Sequence, residues 1–221
     1  MIIQAENICV KLGATVVFDN ISLEIPPGKT LIVGSNGSGK TTLMKLFAGI
    51  LKPSKGTIRV LGLDPVRDFK KLSRQVFFLR ETSNTPPSFK LKTLTETLSR
   101  IYGRDKIEQV LKALRLEEHI DKKISELSHG LRRRADLLEP FASKRKLLLL
   151  DEPLNGLDYK SREIVSKLIN EYTAGSIIVA SHIPLQTSFD NLVVLEPGTL
   201  IYTGKYRQDI VEKYLHTTPN K

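Results

Sequence analysis

The chain has 221 residues, 40% of them hydrophobic and 26% charged, enough to bury the core of one large domain and too apolar for intrinsic disorder. No uninterrupted apolar stretch is longer than the four leucines at residues 147–150, whereas crossing a bilayer takes about 20 apolar residues, so no membrane-spanning helix is expected. The net charge of +10 is uneven, at +1 over residues 1–51, +6 over 52–98, +5 over 99–146 and −2 over 147–221; such a basic block suits solvent, nucleic acid, anionic headgroups or an acidic partner.

At the N-terminus the basic segment, long apolar core and cleavage site of a secretory signal are missing, and Cys9 is the only cysteine, so a reducing, cytoplasmic setting is expected. Residues 2–10 and 16–25 are rich in β-branched side chains and read as strands, the second stopping at Pro26-Pro27-Gly28. Residues 30–33 form a short apolar strand entering a glycine-rich loop, and residues 41–51 read as the helix after it. A turn at 52–56 precedes a strand at 57–61, and residues 75–79 read as a buried strand ending at Arg80-Glu81. Thr93-x-x-Glu96 and Asp105-x-x-Glu108 both have capping-box spacing and each is predicted to open a helix. They mark a helical insertion of about 82–143. Residues 147–150 and 176–180 are continuous apolar runs of the kind found in strands covered on both faces, separated by a helix over 161–172. Residues 192–195 and 199–203 flank Pro197-Gly198 as a hairpin, and 206–215 read as a last helix. The pattern is α/β with a parallel core: one domain over 1–221, with 1–81 and 144–221 as the core.

Gly34-Ser35-Asn36-Gly37-Ser38-Gly39-Lys40-Thr41 matches G-x-x-x-x-G-K-[ST] between a strand and a helix. The glycines let backbone N–H groups wrap a polyphosphate, and the helix N-terminus favours the same anion. Lys40 is expected at the β- and γ-phosphates, the Thr41 hydroxyl on Mg²⁺, and Thr42 at the α- or β-phosphate. Asp151 and Glu152 end the leucine strand, on the side where open α/β sheets bind ligands. Asp151 suits Mg²⁺ and Glu152 suits an attacking water. The two motifs together indicate a nucleoside-triphosphate hydrolase or kinase.

Three further segments extend the pattern: Leu127-Ser128-His129-Gly130-Leu131, then Pro153-Leu154-Asn155-Gly156-Leu157-Asp158, then Ser181-His182. Their order resembles the ATP-binding-cassette (ABC) ATPase family over essentially the whole chain, with a signature usually written L-S-G-G-Q, a D-loop and a switch histidine. The resemblance implies a P-loop NTPase with a RecA-like parallel core, an N-terminal antiparallel β subdomain and an inserted α-helical subdomain carrying the signature. It implies ATP and Mg²⁺ as cofactors, and a head-to-tail homodimer or heterodimer with another ABC ATPase. Each ATP would lie between the phosphate loop of one copy and Ser128 and Gly130 of the other. His182 would contact the γ-phosphate and the attacking water, and Asp158 would couple the two sites. The implied activity is ATP hydrolysis coupled to transport through a separate transmembrane permease, on the inner face of the cell membrane; nucleic acid is not expected as a partner. Four positions depart from the family pattern. His129 replaces a signature glycine, Leu131 replaces its glutamine, Glu81 stands at the Q-loop glutamine and remains a metal-ligand candidate, and Leu12 stands where an aromatic stacks on adenine. They keep open a low-turnover nucleotide sensor, beside a soluble ABC ATPase acting on nucleic acid, the ribosome or cofactor assembly. The run Arg132-Arg133-Arg134 reads as a solvated or acid-paired helix face.

Overall fold

Alternation along the first strand sets the outer layer, and its one interruption has a visible cause. In the computed structural model, which describes residues 1–82 and 85–215, Ile3, Ala5, Ile8 and Val10 of β1 (Ile3–Leu12) are buried. The step of three between Ala5 and Ile8 is a bulge, where Asn7 takes φ 51° and donates its N–H to the Ser22 hydroxyl at 2.8 Å. Asparagine tolerates that backbone region better than most residues. Strand β1 pairs antiparallel with β2 (Thr15–Ile25) on one side and, through Ile3–Val60 register, with the later strand at Lys55–Val60 on the other.

The second sheet begins with β3 (Lys29–Gly34), which leads into α1 (Lys40–Phe47). It continues past β4 (Lys55–Val60) and the short α2 (Phe69–Leu72) to β5 (Val76–Leu79), β6 (Leu147–Asp151), β7 (Ser176–Ala180), β8 (Asn191–Glu196) and β9 (Thr199–Lys205). Its strand order is β5-β6-β7-β3-β8-β9, parallel except for the β8–β9 hairpin. Every residue of β6 and β7 is buried, so consecutive side chains feed two different cores. Ile32, Leu147, Leu149, Ile178 and Val193 meet α1 and the three-stranded sheet. Val33, Leu148, Leu150, Val179 and Val194 face the helices on the opposite side.

Between β5 and β6 the described chain is helical: α3 (Leu91–Tyr102), α4 (Arg104–Ala113), two short 3₁₀ turns, α5 (His129–Asp136) and α6 (Leu138–Ser143). Neither capping-box spacing marks a helix start. Helix α3 begins two residues before Thr93, because the Leu91 and Lys92 N–H groups donate to the Lys122 and Ile120 carbonyls, a tertiary cap that leaves Thr93 inside the helix. Helix α4 opens at Gly103, with Asp105 already in its first turn. Helix α1 stops at Phe47 rather than 51, since the chain turns at Gly49. Helix α7 (Tyr159–Glu171) starts before Ser161 because Asp158 caps it, its Oδ1 accepting the Ser161 N–H at 2.7 Å, and α8 (Gln208–Leu215) closes the described chain.

Candidate functional site

Strand β3 delivers the chain into the loop of residues 34–39, and α1 opens at Lys40. Gly39, the residue before it, has φ 99°, and a Cβ there would sit 2.5 Å from the Phe18 ring, so the position admits only glycine. Lys40 is only 7% exposed; its Nζ donates to the Gly34 and Ser35 carbonyls at 2.8 and 3.2 Å and lies 3.9 Å from Glu152 Oε1. Burial pulls its pKa below the ordinary lysine value, against the opposing pull of Glu152, Asp151 and Glu81. Ser38 is buried within the loop, while Ser35, Asn36 and Gly37 are exposed.

At the end of β6 the Asp151 side chain is buried beside the Thr41 hydroxyl, and among the described residues neither carboxylate oxygen makes a hydrogen bond of ordinary geometry. Burial pushes its carboxyl above the usual range; Glu152 and Glu81 add to the rise, and the Thr41 hydroxyl and Lys40 draw it back. Orphaned oxygens beside a threonine hydroxyl and a phosphate-type loop fit a hard divalent cation that shares its shell with phosphate oxygens and water. Among the described residues no group of three His, Cys, Asp or Glu side chains is placed to hold such an ion alone. The raised carboxyl has a consequence for stability. A folded-state pKa above the unfolded one, about 3.9, means that ionised Asp151 opposes folding, by an amount that grows as pH rises from the unfolded value toward the raised one and is constant above it. Asp151→Asn is therefore expected to stabilise the nucleotide-free protein at neutral pH by about 1–3 kcal/mol. That gain should vanish below the usual carboxylate range, and thermal unfolding at pH 7 and in acid checks both.

Glu152 sits just past the strand at φ 48°, a left-handed conformation that costs a non-glycine residue about 1–3 kcal/mol. Its N–H donates to the Ala180 carbonyl at 2.9 Å, and its carbonyl accepts the Asn155 N–H at 3.1 Å. Held this way, its Oε2 lies 2.8 Å from His182 Nδ1, a side chain that follows β7. Glu152 thus bridges the lysine of the phosphate loop and the histidine of the neighbouring strand end.

These groups line one cavity of about 480 Å³, in which Asn36, Gly37, Gly39, Lys40, Thr41 and Thr42 form one wall and Glu81, Glu152 and His182 the other. Asp151 is buried next to Thr41 and Lys40 and is not part of the lining. A larger groove of about 690 Å³ beside β4, bordered by Lys52, Lys55 and Arg59, contains none of these groups. Leu12, at the end of β1, is 46% exposed and does not line the cavity; Val17 of β2 does. Ser128 is exposed as the N-cap of α5, its Oγ accepting the Leu131 N–H at 3.2 Å, and Gly130 is half-buried behind it. Neither these two nor Asp158 line the cavity of their own chain. Asp158 is exposed, and the Ser161 N–H holds its carboxyl below the usual range. His129 packs on Gly156, where φ is 69° and a Cβ would come within 2.4 Å of the imidazole, so the altered signature and the D-loop glycine are fitted to each other.

Three contributors escape sequence reading. Val17 is one of many β-branched residues in its strand. Asn155 lies inside the Pro153–Asp158 segment, where the sequence gives it no role, and its Nδ2 donates to Glu81 Oε1 at 2.9 Å. Arg133 departs most from expectation: it is 4% exposed, and its guanidinium donates to the carbonyls of Arg80, Glu81, Asp151 and Glu152. Burial lowers its pKa, with Asp136, Asp151, Glu81 and Glu152 opposing. The reading of a solvated or acid-paired face thus fails for Arg133; Arg134 is half-buried, feels Asp158 and donates to the Leu114 carbonyl at 2.8 Å, and Arg132 is exposed. Buried strand ends and loops supply carbonyls that need donors, and α5 presents arginines to them.

A model described as ABC transporter matches residues 18–155 of the chain. The Nod factor export ATP-binding protein I of Cupriavidus metallidurans is 30% identical over 237 residues, covering 96% of this chain and 77% of that protein. A solved structure of the ATP binding subunit of an ABC transporter is similar at a TM-score of 0.79 and 20% identity, over 100% of this chain and 95% of that one. A dimeric post-hydrolysis ATP-binding cassette bound to ADP and Pi is similar at a TM-score of 0.78 and 21% identity, over 93% of this chain and 99% of that one. At those identities the structures speak for the fold.

Proposed function

The chain belongs to the ABC transporter family, and from that membership we propose that it is the ATP-binding and ATP-hydrolysing subunit that powers a transmembrane permease. The observation that carries the reaction is the convergence of Lys40, Glu152 and His182 on one cavity at the phosphate loop. The loop N–H groups and Lys40 bind the polyphosphate, and Lys40 exchanges its own loop carbonyls for β- and γ-phosphate oxygens. Mg²⁺ would be held by Thr41, Asp151 and Glu81 with phosphate oxygens, and when bound it neutralises charge on the terminal phosphate. Glu152 takes the proton of a water aligned opposite the β–γ bridging oxygen. The water oxygen bonds to the γ-phosphorus as the bridging bond breaks, yielding ADP and phosphate. His182, pinned to Glu152, orients that water and contacts the γ-phosphate.

Ser128 is exposed and Gly130 half-buried beside it, which suits a second copy or a related ATPase presenting its own phosphate loop to the Ser128 end of α5. Asp158 would then lie on the coupling path between the two sites. The relative's name includes export, and this is the support for export over import. No helix among the described residues is long and apolar enough to cross a membrane, so the proposed location is peripheral, on the inner face beside the permease. The purified chain is expected to hydrolyse ATP only with Mg²⁺, with a specific activity that climbs as protein concentration rises, because two copies complete each site. A Mg²⁺-independent rate, or a specific activity that stays flat through the range where ATP-dependent dimers form, would overturn the reading.

A further inference from the structure

Strands β5 and β6 are parallel neighbours whose pairing reaches Leu79 and Leu150. Beyond that point the β5–β6 ladder ends; the Glu152 carbonyl already accepts the Asn155 N–H at 3.1 Å, and the carbonyls around it can take further donors. Arg133 supplies the donors: Nη1 meets the carbonyls of Arg80 at 2.7 Å and Glu81 at 3.1 Å, and Nη2 those of Asp151 at 2.7 Å and Glu152 at 3.0 Å. One planar group therefore pins two segments that are far apart in the chain. Two of the four residues it holds, Glu81 and Glu152, are those whose carboxylates line the cavity. Glu152 needs such restraint, because its left-handed backbone persists only where surrounding contacts impose it.

We propose that Arg133 is a positioning residue for hydrolysis: it sets the spacing of the Glu81 and Glu152 carboxylates around the terminal phosphate and ties that spacing to the helix capped by Ser128. The proposal rests on the ATPase reading above. Arg133 touches no substrate and acts through the main chain of the two acids. Lysine keeps the charge but not the planar fork, and its single ammonium cannot serve both strand ends at once. Errors of about 1 Å in such a constellation cost on the order of 10²-fold in rate. Because Arg133 lies on α5, a change in the Glu81–Glu152 spacing is also transmitted rigidly toward Ser128 and the partner site.

The test uses the full chain with Arg133→Lys and Arg133→Gln, counting sites by stoichiometric ATP binding so that any unfolded fraction drops out. The turnover number per binding site is expected to fall about 10- to 100-fold, as for other supporting residues around reactive groups. The ATP dissociation constant should stay within about threefold of wild type. In a Glu152→Gln background, Arg133→Lys should remove less than about twofold of the residual single-turnover rate, because a spacing between the Glu81 and Glu152 carboxylates no longer matters once one of the two is gone. Unchanged turnover, parallel loss of binding and turnover, or a full multiplicative loss in that background overturns the proposal. Loss of ATP-binding stoichiometry in both variants assigns Arg133 to folding and also overturns it. Absence of hydrolysis in the wild type is a different failure, that of the ATPase reading itself.

Discussion

Glu152→Gln is expected to lower the rate of ATP hydrolysis by about 10²–10⁴-fold while leaving ATP bound. Glutamine has nearly the same shape and still accepts a hydrogen bond from His182, but it cannot take the proton from water. The geometry makes the loss specific to chemistry: Glu152 is the carboxylate that His182 Nδ1 approaches at 2.8 Å and that faces Lys40 across the cavity. Removing its negative charge also eases repulsion toward the terminal phosphate. ATP-bound dimers should therefore accumulate in the variant and be resolved by size-exclusion chromatography, whereas wild type would pass through them during turnover. Retention of most of the hydrolytic rate by the variant would assign the proton transfer to another group.

Lys40→Ala is expected to act one step earlier, on binding. Truncating one partner of a buried, hydrogen-bonded charge pair costs about 2–5 kcal/mol, roughly a 30- to 3,000-fold rise in the ATP dissociation constant. Two observations place Lys40 at the high end. It is nearly buried, so bulk water screens it little, and its ammonium acts on Glu152, Asp151 and Glu81 together from the phosphate loop. Without it the incoming phosphates would meet three carboxylates with less compensation. Titration with a fluorescent ATP analogue at fixed Mg²⁺ measures the loss, and thermal unfolding confirms that the variant is folded. Near-normal affinity would show that the loop N–H groups and the cation carry binding by themselves. The two substitutions separate the functions of the cavity: one protein holds ATP without cleaving it, the other scarcely holds it.

The fold class and the centre of the site were legible before any coordinates, because both are written in short contiguous patterns. Eight consecutive residues, Gly34 to Thr41, carry the loop conformation and the lysine, and alternation in β1 and continuous burial in β6 and β7 distinguish a half-covered sheet from a fully covered one. Asp151 and Glu152 stand out in the sequence because they end a run of four leucines. What the tertiary structure alone decided involves partners far apart in the chain. The start of α3 depends on carbonyls of residues 120 and 122, the orientation of Glu81 on Asn155, and the alignment of two strand ends on Arg133. In the first and last of these the acceptor is a backbone carbonyl, which every residue possesses, so no residue type announces the contact. An arginine run therefore reads as a surface charge until folding brings strand-end carbonyls to Arg133, and only then does the burial of that residue acquire a reason.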